Sequence, residues 1–292
     1  MTSSTHGARP SVGVIVPCLN EELCLPYVFS NMPADVDEVL LIDGGSVDDS
    51  VGVARRLYPS VTVVQQSRTG KGNALACGFA ATSCDIIVTL DADGSADPAE
   101  IPRFVAALRA GADFAKGSRF LPGGGSVDIT RLRRLGNRGL TAIVNVLYGT
   151  AFSDLCYGYN AFWRRVLPDL RLPDAALERR PNEVLAGDGF EIETLMILRA
   201  AGAALNIAEV PSHEAHRLHG VSNLRAHRDG ARVLRTILSE YRALRGLRAD
   251  APVSPAVAAA PQFTGTDLVA VEPSVAIPAQ REPDRAVVLG ET

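Results

Sequence analysis

Five short apolar runs set the rhythm of the first 120 residues: "VGVIV" from Val12, "EVLLI" from Glu38, "VTVVQ" from Val61, "DIIVTL" from Asp85 and "ADFAKG" from Ala112. Their length and β-branched content read as strands. The segments between them, 21–32, 48–58, 72–83 and 98–111, read as helices. Strands with no polar alternation are buried on both faces, so this βαβα order predicts an α/β fold with a mainly parallel central sheet and helices on both faces. Right-handed crossovers follow. In such a sheet, ligands bind outside the carboxyl ends of the strands.

The rhythm breaks near Phe120. A glycine-rich turn "LPGGGS" leads into the arginine-rich "RLRRLGNR" and then an apolar helix candidate, "LTAIVNVLYGTAF". "SDLCYGYNAFWRR" reads as a loop entering a strand, "GDGFEIETLMILRAAG" as a helix, "ALNIAEVP" as a strand and "LRAHRDGARVLRTILSEYRALRGL" as a long amphipathic helix. Residues 1–10 are expected to be a flexible tail, 11–248 the folded domain, and the Ala/Pro-rich 249–292 a disordered tail.

Charge and cysteine content narrow the function. The formal net charge is −4, so no global basic field points to nucleic acid. Five cysteines, an odd count with no C-x-x-C pair, read as small buried hydrophobes in a reducing compartment. The N-terminus has no apolar signal-like core, and no window reaches the roughly 18 apolar residues of a spanning helix. A cytoplasmic protein is expected, with peripheral membrane contact left open. The arginines Arg131, Arg133, Arg134 and Arg138 beside a short apolar helix suit an anionic lipid interface, and equally a buried helix with a solvated basic start.

Polar, glycine-rich loops follow four of the strands: "PCLNEE", "DGGSVDDS", "SRTGKGNA" and "DADGSADP". Any one would serve as an ordinary turn and helix cap. Four at one sheet edge predict a site. Asp91 and Asp93 stand two residues apart, so they share one side of an extended chain. Unpaired burial of both is unfavourable. A divalent Mg²⁺ or Mn²⁺ between them and a diphosphate would resolve the conflict. Asp188 and Glu191, three apart, are candidate bases on one helical face. His213, His216 and His219 lack the further ligands of a zinc site, and a surface loop is the ordinary reading.

Together, "VPCLNEE", "DGGSVDDS", "GKGNAL", "DADGSADP" and "KGSRF" resemble, in order and spacing, the family 2 glycosyltransferases of GT-A fold. "SDLCYGYNAF", "GFEIE" and "EVPSHEAHRLHGVSNL" resemble most the polyprenyl-phosphate, or dolichol-phosphate mannose synthase-like, branch. The resemblance covers about residues 11–245. It implies a Rossmann-like nucleotide-binding half and an acceptor-binding half. It implies an enzyme that moves a sugar, with inversion, from a GDP- or UDP-sugar to a polyprenyl phosphate at the cytoplasmic membrane face.

By that resemblance Pro17, Asn20, Glu21, Asp43, Lys71, Asp91 and Arg119 bind the nucleotide-sugar, and Asp91 and Asp93 hold the metal. Asp93, Asp188 and Glu191 are the catalytic candidates, and Arg131, Arg134, Arg217 and Ser222 meet the acceptor phosphate. Three positions depart from the pattern. Gly44 replaces a second aspartate. Ser95 stands where a metal-binding Gln is common, which makes His216 the candidate third ligand. Asn223 replaces a lysine. Two other readings stay open: the same donor chemistry with a small soluble acceptor, and a nucleotide-sugar-binding protein without catalysis. A dinucleotide-binding fold is disfavoured, because no G-x-G-x-x-G follows the first strand.

Overall fold

The computed structural model describes residues 9–177, 185, 187–220 and 226–249. Its first half follows the expected alternation: β1 (Val12–Cys18), α1 (Leu25–Ser30), β2 (Glu38–Asp43), α2 (Ser50–Leu57), β3 (Thr62–Gln65), α3 (Lys71–Ala81), β4 (Ile86–Thr89), α4 (Ile101–Arg109) and β5 (Phe114–Ser118). The second half adds β6 (Gly125–Ser126), α5 (Arg131–Tyr148), β7 (Asn160–Trp163), α6 (Leu167–Leu170), α7 (Ile192–Gly202), β8 (Ile207–Pro211), β9 (His213–Glu214) and α8 (Ala226–Ala249).

Seven strands form one sheet in the order β3-β2-β1-β4-β7-β5-β8. All neighbours are parallel except β7, which runs antiparallel between β4 and β5. β6 and β9 form a separate parallel pair. These two-residue strands carry no apolar period, so the sequence gives no sign of them.

Alternate strand residues feed two cores. Val12, Val14 and Val16 of β1, with Val39 and Leu41 of β2, pack with residues of α1, α2 and α4. Ile15, Leu40 and Ile42 point to the other face, toward Leu75 of α3, α7, Val144 of α5 and Val233 and Ile237 of α8. Pro17 falls beyond the stretch of β1 that pairs with β4, where a missing N–H breaks no ladder.

Helix α5 joins the arginine-rich and apolar segments into one element. Thr130 caps it by accepting the Arg133 N–H at 3.2 Å, and Gly149, at φ 67°, ends it. Only Asn137, Thr141 and Val144 of its 18 residues are buried. Leu132, Leu135, Ile143 and Val146 are exposed, Val146 at 82%. With Gly139 they fall at helical spacing on one outer stripe.

All five cysteines are free, and four are buried, as expected of small hydrophobes. Among the described residues no helix is long and apolar enough to cross a membrane. Residues 1–8 and 250–292, with most of the expected tails, lie outside the described residues.

Candidate active site

The loops after β1 and β2 are laced together. Asn20, at φ 58°, accepts the Val47 N–H on its Oδ1 at 2.8 Å and donates its own N–H to Ser46 Oγ at 3.0 Å. Glu21 donates its N–H to Ser50 Oγ. Asp43, at the end of β2, accepts the N–H groups of Gly45 and Ser46 at 3.3 and 3.0 Å. Its carboxylate thus shapes its own turn. At Gly44 a Cβ would lie 3.2 Å from the Cys18 carbonyl oxygen. A side chain at this position would sit tightly against the end of β1.

Lys71 opens α3 between Gly70 and Gly72. Gly72 donates its N–H to the Asp188 carbonyl at 2.9 Å, and the 187–188 turn leaves no room there for a side chain. This close approach explains "GKG". It seats Lys71 against Asp91, with Nζ to Oδ1 at 2.6 Å, and against Glu193 in the first turn of α7. Burial alone would lower the Lys71 pKa; the two carboxylates outweigh it and raise it, so the ammonium stays charged. Burial raises the Glu193 pKa and Lys71 opposes it.

Strand β4 ends at Thr89, and both aspartates lie in the turn beyond. Ser95 binds one Asp93 oxygen, through its N–H at 3.0 Å and its Oγ at 2.7 Å. Arg217 takes the other, with Nη2 to Oδ2 at 3.2 Å, and reaches Glu21 Oε1 with Nη1 at 2.6 Å. Burial pushes the Glu21 pKa up against the pull of Arg217. The Arg217 loop is strapped to the aspartate turn: Ala215 N–H donates to the Ser95 carbonyl at 2.8 Å and Leu218 N–H to the Asp93 carbonyl at 3.2 Å. Each candidate metal carboxylate therefore carries a resident cation.

Four candidates occupy settings different from those expected. Arg119 does not open onto a diphosphate. It is buried, with Nε and Nη2 on Asp154 at 2.7 and 3.0 Å, Nη1 on Glu214 at 3.0 Å, and the Tyr157 ring 4.9 Å away. Asp188 is not poised as a base, because Arg68 grips both its oxygens at 3.0 and 2.9 Å. It also precedes α7, which begins at Ile192, so it shares no helical face with Glu191. His216 is exposed, with Nδ1 3.4 Å from Asp128 Oδ1, and does not join Asp91 and Asp93. Among the described residues no group of three or more His, Cys, Asp or Glu gathers to hold a metal. Arg217 lies on Glu21 and Asp93, where an acceptor-phosphate ligand was expected.

The remaining candidates are simpler to place. Glu191 precedes α7; its Oε1 accepts the Gly187 and Gly189 N–H groups, while its buried Oε2 has no partner among the described residues. Arg131 and Arg134 are exposed near the start of α5, with Arg134 5.8 Å from the Phe120 ring. Ser222 and Asn223 lie outside the described residues. The reading of the sequence missed Glu193, Arg68, Asp154 and Glu214. For Glu193 a signal existed, as the second acid of "GFEIE".

The glycosyl transferase family 2 model matches residues 13–171, which span the loops after β1, β2, β3 and β4 but not the Arg217 loop. The chain belongs to that family. An uncharacterized glycosyltransferase of Mycobacterium tuberculosis is 41% identical over 112 residues, 38% of this chain; the match spans half of that relative's length. A polyprenol monophosphomannose synthase of Mycolicibacterium smegmatis is 31% identical over 72% of this chain and 80% of the relative. Among solved structures, glucosyl-3-phosphoglycerate synthase of M. tuberculosis in complex with Mn²⁺, UDP and glucosyl-3-phosphoglycerate aligns with TM-score 0.61 and 26% identity. That alignment covers 80% of this chain and 81% of the neighbour. The expected GT-A architecture is thus the observed one.

Proposed function

We propose that this family member transfers a sugar, with inversion, from a nucleoside-diphosphate sugar to a polyprenyl phosphate, working against the cytoplasmic face of a membrane. One observation carries the lipid reading. Asp128 contacts Arg133 of α5 at 3.0 Å and His216 at 3.4 Å, and the next residue, Arg217, reaches Asp93. The cationic start of α5 therefore lies near the aspartate turn, on the same helix that carries the exposed apolar stripe. That is the arrangement needed to bring a lipid's phosphate to the donor while its chain stays in an apolar phase. The named mycobacterial synthase supports the same acceptor class.

Asp91 and Asp93 offer hard oxygen donors at an accessible turn. Asp91 is 38% exposed on its side chain, and both carboxylates already draw cations. This donor set fits Mg²⁺ or Mn²⁺, with water and phosphate oxygens completing the shell. Once bound, the ion would neutralise charge growing on the leaving diphosphate. Lys71, held by Glu193, adds a fixed positive charge beside the same group. Asn20, Glu21 and Asp43 stiffen the nucleotide-side loops. Arg131 and Arg134 receive the acceptor phosphate, with Ser222 a further candidate. A phosphate acceptor is already ionised near neutral pH and needs no base.

The Glu191 oxygen that has no partner among the described residues favours one alternative, a soluble hydroxyl acceptor deprotonated by that carboxylate. A transfer assay separates the two. Radiolabelled GDP- and UDP-sugars are offered with Mn²⁺ and polyprenyl phosphate in detergent, and product is partitioned. Label in the organic phase, reduced about 100- to 1,000-fold by Asp93→Asn, is the expected result. Label in the aqueous phase alone, lost on Glu191→Gln, would move the acceptor to the soluble class.

A further inference from the structure

The aspartate turn raises a question that the transfer chemistry does not answer. If Asp93 is a metal ligand, why does a guanidinium already occupy it? Arg217 makes charged contacts to two acids from different loops, Glu21 at 2.6 Å and Asp93 at 3.2 Å. A guanidinium does not lose its proton in a protein, so the group is a permanent cation. Ser95 holds the other Asp93 oxygen, which leaves Oδ2 to Arg217. Two backbone hydrogen bonds bring the arginine's loop to this turn, and Leu218 packs against Gly94, whose φ of 73° and lack of side chain admit it.

Lys71 provides the contrast. It belongs to a helix and is pinned from behind by Glu193. Arg217 belongs to the loop after β9, and its side chain is 21% exposed against 12% for Lys71. Of the two resident cations, Arg217 is the one free to leave. Oδ2 accepts from the guanidinium, and a divalent ion at the same oxygen would bring a second cation within a few ångströms of the first, so charge repulsion sets the two in competition.

We propose that Arg217 is a built-in counter-cation of Asp93, and that a divalent ion binds by displacing it. The proposal rests on the divalent-metal reading of Asp91 and Asp93. Without metal, Arg217 spares the fold two uncompensated carboxylates at the sheet edge. With metal, the guanidinium gives up the seat that the two acids form together. Metal affinity is then set partly by the strength of the Arg217 seat, since a competitor reduces apparent affinity by the fraction of sites it holds.

The test titrates the full-length protein with Mn²⁺ alone, reading free Mn²⁺ by electron paramagnetic resonance, so no turnover enters. Arg217→Gln is expected to bind Mn²⁺ about tenfold tighter, the scale of one charge-assisted contact released at a partly exposed site. Glu21→Gln, which loosens the same arginine from its other side, should tighten binding by a smaller factor. Asp93→Asn should lose binding. Unchanged or weaker Mn²⁺ affinity in Arg217→Gln, with Asp93→Asn still defective, overturns the displacement and leaves the metal reading intact. Undiminished binding in Asp93→Asn overturns the metal reading and the displacement with it. Weaker binding in Glu21→Gln would make Glu21 a ligand and also overturn the displacement.

Discussion

Two regions of the molecule each set an arginine between two carboxylates, one from each of two segments. In the interior behind β5, Arg119 is 4% exposed on its side chain and holds Asp154 with two parallel bonds, with Glu214 on its third nitrogen. At the mouth, Arg217 makes one close contact to Glu21 and a longer one to Asp93, and water reaches it. The groups are the same, but dielectric and geometry differ. A buried bidentate pair with its remaining donors satisfied is fixed, because removing either partner strands a charge. A partly exposed, single-bonded pair is exchangeable. The difference teaches that charge complementarity alone does not mark a binding residue; access does.

The interior pair offers the hardest way to break that contrast. Asp154 also accepts Asn137 Nδ2 at 3.1 Å, so the network ties α5 to the sheet, and Glu214 adds Ser126 beside the start of the same helix. Burial raises the Asp154 pKa, but Arg119 outweighs it and holds it below the usual carboxylate value. A depressed folded pKa contributes stability that is present above the unfolded value and is lost as pH falls through the folded one. Asp154→Asn is expected to destabilise the fold by about 3–5 kcal/mol at neutral pH. It should also flatten the loss of stability on acidification, read by denaturant unfolding at several pH values. Full stability in this variant would remove the distinction between the two arginines.

Glu193 sharpens the comparison at smaller scale, because it links the regions. Lys116, fully buried, donates to the Gly117 carbonyl at 3.2 Å and acts electrostatically on Glu193, Asp154 and Glu209. Glu193 in turn holds Lys71 at the mouth. It touches no reacting atom in the proposed chemistry, so its role is positioning. Glu193→Gln keeps shape and removes charge. Turnover is expected to fall about tenfold, the size of one charge-assisted hydrogen bond, while KM for the acceptor stays constant. Glu193→Asp should recover part of the loss. A fall in melting temperature without a change in turnover would make the residue purely structural.

These three acids also mark what could be seen in advance. The first five strands and four helices were legible because burial on both faces erases polar alternation, and because turn chemistry at β-strand ends is local. Asp91, Asp93, Lys71 and the Asn20 loop came from such local signals, and the structure brings them to one edge. Asp154, Glu193 and Glu214 were not legible as partners. Their contacts with Arg119 and Lys71 span 35 to 122 residues, and no spacing encodes them. The partners of Arg119 and Asp188 were hidden for the same reason: a charged residue in a loop motif reads as exposed until its distant counter-ion is known. Lys71 and Lys116 are the only two lysines in the chain; Lys116 is buried, and Lys71 is held by two carboxylates.

The smallest expected effect on stability comes from the surface of α5, the face proposed to meet a membrane. Leu132, Leu135, Ile143 and Val146 leave an apolar stripe exposed, and an added Cβ at Gly136 or Gly139 would meet nothing within 4 Å. Arg131, Arg134 and Arg138 are likewise exposed on this helix. A stripe packed on the protein would resist polar substitution; a stripe that meets lipid only on docking would not. Val146→Ser with Leu135→Ser should therefore change folding stability by less than about 0.5 kcal/mol per site. The same pair should weaken sedimentation with vesicles containing phosphatidylglycerol by roughly tenfold, since about 25 cal/mol per Å² of apolar contact is lost. Raising salt should weaken what remains, because the flanking arginines are screened. Binding to the vesicles that is indifferent to the pair would detach α5 from the bilayer. The paired carboxylates at the mouth would then have to find their acceptor in water, where Glu191 would be the group to change next.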